Sequence, residues 1–188
     1  MAKDMENDGR SRGSIWRIAA WGFAASLLLL PLVAMQFTDE VDWTGSDFVF
    51  AAVLIGSVGG AFELAARMTR NKAYRGGVGA ALAAAFLIVW ASGAVGMIGS
   101  EDNPFNLLFI AVIALAFVGA LAARFRPLGM ALAMAVAAAA HACVAMVGMF
   151  SDLRGGVLSA TFAGLWLLSA ALFREAAEQI PIRAGLPD

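Results

Sequence analysis

Six long apolar runs, separated by short polar joints, constrain this chain more than any other feature. A membrane helix needs about 20 mostly apolar residues to cross about 30 Å of hydrocarbon. Runs of that kind cover 15–37, 47–68, 77–99, 104–123, 128–150 and 153–173. The joints read TDEVDWTGS, TRNKAYRG, SEDN, RFRP and SD, too short to hold a soluble domain. Composition agrees: 61% of the 188 residues are hydrophobic and 14% charged, against about 25% charged in an ordinary soluble domain. So apolar a chain excludes a soluble globule, a disordered tail and a nucleic-acid-binding protein. Cys143 is the only cysteine, so no disulfide closes within the chain. The expected fold is all-α: an integral membrane six-helix bundle over 15–173, with cytoplasmic tails at 1–14 and 174–188.

Charge gives the threading. With six spans, one side carries twelve basic and six acidic residues, and the other carries Arg154 and seven acids. Basic residues favour the cytoplasmic side, so both termini are expected in the cytoplasm of a bacterial inner membrane. Glu63 remains, inside the second run. Trp16, Trp21 and Trp43 fall where amphipathic rings prefer the headgroup layer. The first run is longer than a signal-peptide core and no good cleavage site follows, so it reads as a retained span. Asn103-Pro104 is a strong helix start, a cap followed by a proline at the first turn.

The ends of the runs repeat. VAMQFTDE (33–40), VGMIGSED (95–102) and VGMFSD (147–152) share one pattern, and ELAARM (63–68), ALAARF (120–125) and SAALFR (169–174) share another. Three helical hairpins of common ancestry explain this; so does convergence, since topology alone demands acids on one side and arginines on the other. Helices in lipid associate through small residues. Gly56-x-x-x-Gly60, the ridge Gly77, Ala81, Ala85 and the ridge Ala131, Ala135, Ala139 are therefore expected at close crossings.

Ionisable groups inside a bilayer are expensive, and each is a candidate site. Glu63 shares a helix face with Gly56, Gly59 and Gly60. It reads either as a proton or cation site or as an i,i+4 ion pair with Arg67. His141 shares a face with Ala137, Ala138, Ala145 and Gly148. It reads as a proton relay, quinone contact or haem ligand, or as a neutral ring with one interhelical hydrogen bond. The acids Asp39, Glu40, Asp42, Glu101 and Asp102 form a candidate outer acidic surface. Their oxygens suit a hard cation, but no calcium-loop spacing is present, and solvated outer loops obeying topology are the reading preferred. The sequence has no phosphate-binding loop, H-E-x-x-H, C-x-x-C or nucleophile elbow. No catalytic residues, metal site or cofactor are expected.

The runs PLVAMQFTDEVDWTGSDF (31–48) and GMIGSEDNPFNLLF (96–109) resemble signature stretches of a family of small bacterial multi-pass inner-membrane proteins of unassigned function, which carry a GSEDNP run after the third span. The resemblance covers roughly residues 15–125. It departs at Ser92-Gly93, where that family often has a polar Asn or Glu. It implies the topology above and no chemistry. Three functions follow in descending order: a non-enzymatic membrane component that assembles with itself or a membrane-protein partner; a small ion or solute carrier using Glu63; and a redox or quinone-associated subunit using His141.

Overall fold

A computed structural model describes residues 18, 19, 21–39 and 41–184, with side chains as far as Gln179. The described residues are helical, with no strand among them. The helices are α1 (Trp21–Ala34), α2 (Gly45–Met68), α3 (Lys72–Ala94), α4 (Leu107–Ala122), α5 (Pro127–Gly148) and α6 (Leu153–Ala184). A 3₁₀ turn, Pro104–Asn106, leads into α4. Helices α2 to α6 are each long and apolar enough to cross a membrane, counting the 3₁₀ turn with α4. The described helix of the first run is shorter; residues 15–17 and 20 lie outside the described residues.

Two compact units meet within α2, at Gly60 and Ala61. In the first, Trp21 lies over Gly59, where an added Cβ would sit 3.1 Å from the ring. Gly59 is thus the close approach; added Cβ atoms on Gly56 and Gly60 would meet nothing within 4 Å. The expected Gly56-x-x-x-Gly60 crossing is not made among the described residues. Thr44 and Asp47 cap α2 reciprocally: the Thr44 N–H donates to the Asp47 carboxylate, 2.7 Å, and the Asp47 N–H to the Thr44 hydroxyl, 3.4 Å.

In the second unit, α6 packs against both α3 and α5, and α4 packs on α5. The buried core runs through Ala84, Ile88, Phe109, Met134, Trp166 and Phe173. Gly77 lets α3 approach α6, since an added Cβ would lie 3.0 Å from the Phe173 ring. The Ser169 hydroxyl seals that crossing by donating to the Gly77 carbonyl, 2.8 Å. On α5 the buried stripe is Met134, Ala137, Ala138, His141, Ala145 and Gly148. Ala135 and Ala139 are exposed, so only Ala131 of the expected ridge is buried. Three-and-four spacing through His141 selects this stripe, whereas a strict spacing of four drifts off it.

Helix ends differ from expectation for local reasons. α3 begins at Lys72 rather than 77, because the Asn71 side chain accepts from the Tyr74 N–H, 3.0 Å, and starts the helix inside the charged joint. Its end comes at Ala94 rather than 99, because Gly96 turns the chain at φ +78°. α6 continues past 173 to Ala184, supported by the i,i+4 pairs Arg174–Glu178 and Glu175–Gln179. The expected C-terminal tail therefore begins as helix. At this end Asn71 donates to Gln179, 3.1 Å, and the Tyr74 hydroxyl to the Phe125 carbonyl, 2.9 Å.

Candidate functional site

The residues between α3 and α4 do not form a loose joint. Gly96 and Gly99, at φ +78° and +73°, fold 95–106 back onto the helices. Met97 and Ile98 become buried. A buried backbone needs its polar groups paired, and two asparagines do this. Asn106 accepts from the Ile98 N–H, 2.9 Å, and donates to the Ser100 carbonyl, 2.8 Å. Asn103 donates to the Ile98 carbonyl and caps the 3₁₀ turn at Phe105, both at 3.0 Å. This segment is a cap over the ends of α5 and α6.

Its receptor is made by glycines and one carboxylate. An added Cβ on Gly148 would come 2.6 Å from the Ile98 side chain, and one on Gly155 would come 2.8 Å from the Met97 carbonyl. Asp152 caps α6 by accepting from the Gly155 N–H, 2.9 Å, and holds the cap by accepting from the Gly99 N–H, 3.0 Å. Those N–H donors, Gly155 first and then Gly99, hold its carboxyl below the usual 3.8.

Beneath the cap lies His141, fully enclosed. Its Nε2 is 2.9 Å from the Ser159 carbonyl oxygen. A carbonyl only accepts, so Nε2 carries the proton and Nδ1 presents a lone pair. Nδ1 is buried with no hydrogen-bond partner. The Phe109 and Phe162 rings flank the imidazole, at centroid distances of 5.1 and 6.5 Å. The Ser159 hydroxyl continues upward, donating to the Met97 carbonyl of the cap, 3.1 Å. The interhelical hydrogen bond is thus the geometry found. A lone-pair acceptor pairs with a quinol hydroxyl but not with a quinone carbonyl. Among the described residues no three His, Cys, Asp or Glu side chains gather to hold a metal.

Glu63 lies on α2 with its side chain 21% exposed, and Arg67 Nη2 reaches its Oε1 at 2.5 Å. This is the i,i+4 pair, not an isolated carboxylate. Asp39 and Asp42 are exposed in the first unit, and Glu101 and Asp102 are exposed on the cap in the second. Glu40 lies outside the described residues. The Ser92 hydroxyl is buried without a hydrogen-bond partner, as is the Trp166 indole nitrogen.

Sequence reasoning missed Asp152, Ser159 and Asn106. Asp152 carries a signal, since Asp-x-x-Gly before an apolar run is an N-cap pattern. Asn106 reads only as the polar edge of a span. Ser159 has no local signal, because its partners come from another helix and another loop. No protein-family model, curated protein or solved structure matches the chain.

Proposed function

We propose that the protein is a multi-pass component of a bacterial inner membrane, with both termini cytoplasmic, that assembles with itself or a membrane-protein partner rather than catalysing a reaction. The supporting observation is the face of α2. Only Ala51 of this 24-residue helix is buried, and Gly56 and Gly60 stand open. Small residues are what helices use to associate in lipid. The resemblance over 15–125 supports the topology and is neutral on the partner. Native mass after mild detergent extraction tests the assembly. A higher-order species or a stoichiometric companion is expected, weakened by Gly60→Leu; a strict monomer that purifies alone refutes it.

A second reading is a small ion or solute carrier built on Glu63. An ionisable residue within an apolar helix favours it, while the Arg67 pair supplies a structural role for the same carboxylate. Proteoliposome flux of protons and common cations decides. The carrier reading requires a flux that Glu63→Gln abolishes.

A further inference from the structure

Between the start of α5 and the charged end of α6 runs an open groove of about 870 Å³. Leu128 and Leu132 line it from α5; Arg174, Ala177 and Glu178 line it from α6. We propose that this groove seats one anionic glycerophospholipid, with an acyl chain along the leucines and the phosphate on Arg174. Such binding requires a chain that lies in lipid, and it is independent of the assembly proposed above.

The groove crosses a border between apolar and charged surface. Leu128 and Leu132 stand one helical turn apart and are both exposed, an apolar rail that hydrocarbon covers. α6 is apolar from Val157 to Phe173, and Arg174, Glu175 and Glu178 follow. A chain and a headgroup linked together meet both surfaces at once. The volume lies toward the upper end of ordinary ligand pockets, about 300–1,000 Å³. The open form suits a ligand that stays partly in the bilayer.

Charge selects the headgroup. Arg174 Nε donates to Glu178, 3.1 Å, and neither Nη group has a partner among the described residues. The outer edge of the guanidinium is thus free for a phosphate. The same ion pair offsets the Glu178 carboxylate, which would otherwise repel an anion. Arg124 and Arg126, just ahead of Leu128, are exposed and make no ion pair among the described residues. They sit on a fixed turn. Arg124 and Phe125 stand at φ +50° and +56°, unfavourable for residues with a Cβ, and the Tyr74 hydroxyl holds the Phe125 carbonyl. No acid occupies the first turn of α5, so nothing negative competes there. The opposite end of these helices has the reverse charge, with Glu101, Asp102 and Asp152 against Arg154. A zwitterionic lipid would bring its own ammonium to the arginines; an anionic one does not.

The test is native mass spectrometry of the full chain in mild detergent. It is titrated with phosphatidylglycerol and, separately, with phosphatidylethanolamine of the same acyl chains. The first bound lipid is expected to favour phosphatidylglycerol. Arg174→Gln is expected to weaken that binding about fivefold, the worth of one arginine near the membrane surface. Arg174→Gln with Glu178→Gln is expected to stay weak, since it restores the net charge but not the guanidinium. Ala177→Phe fills the groove, leaves every charge in place and is expected to weaken both lipids. Equal affinity for the two lipids, wild-type affinity in Arg174→Gln or in Ala177→Phe, or recovery in the double variant overturns the proposal. The last of these would mean that net charge alone attracts the lipid. Displacement of phosphatidylglycerol by inorganic phosphate at equal concentration also overturns it, since the ligand is then a free anion. If Ala177→Phe lowers the thermal midpoint without added lipid, amide exchange of the wild type decides. Protection over 124–132 that rises with phosphatidylglycerol and not with phosphatidylethanolamine supports the site, and unchanged protection there overturns it.

Discussion

Val95-Gly96-Met97-Ile98 and Val147-Gly148-Met149-Phe150 read nearly alike, yet Ile98 is 1% exposed and Phe150 94%. The glycines part first. Gly96 leaves its helix at positive φ, while Gly148 is the last residue of α5. The longer segment then adds Gly99, Asn103 and Asn106, which satisfy the buried backbone. The shorter one turns at once into α6 through the Asp152 cap. Similar sequences have thus become complementary parts, one a cap and the other its receptor. Polar residues downstream of the repeated pattern decide which is which.

Four substitutions break or sharpen this contrast. The largest effect is expected from Ile98→Ala, which empties the space above Gly148 and should cost about 3–4 kcal/mol, read by reversible unfolding in mixed micelles. Gly96→Ala should follow at about 2–3 kcal/mol, because a Cβ at φ +78° meets the Ser100 backbone. If Gly96→Ala costs no more than an ordinary surface change, the docked cap is wrong. Asp152→Asn should act through pH. Its carboxyl lies below 3.8 in the folded chain, so its stabilisation is fully present above that value and is lost as pH falls through the folded one. Lowering pH from 5 toward 3 should reduce the thermal midpoint of wild type, and Asp152→Asn should flatten that part of the profile. Phe150→Ala should change stability least, within about 0.5 kcal/mol. A cost near that of Ile98→Ala would erase the distinction between the two turns.

Five of the six expected spans were legible because apolar length is a strong signal and the breaks carry caps and prolines, as at Asn103-Pro104 and Pro127. The buried face around His141 was legible from three-and-four spacing. Its partner was not, because pairing with Ser159 depends on the register between α5 and α6, and no local pattern records it. The cap was hidden for a related reason. Gly96 and Asn106 each look like the ordinary edge of a span until the chain between them is folded back. Glu63 and Arg67 could be paired from spacing alone, since both partners lie on one helix.

α6 carries Ser159, which touches the cap, and Gln179, which bonds Asn71 beyond the start of α3. The twenty residue steps from one to the other amount to about 30 Å of uninterrupted helix, close to the thickness of the hydrocarbon layer. One rigid helix therefore fixes the register of both contacts at once: the Ser159–Met97 bond at one end and the Asn71–Gln179 bond at the other share a single axial position of α6.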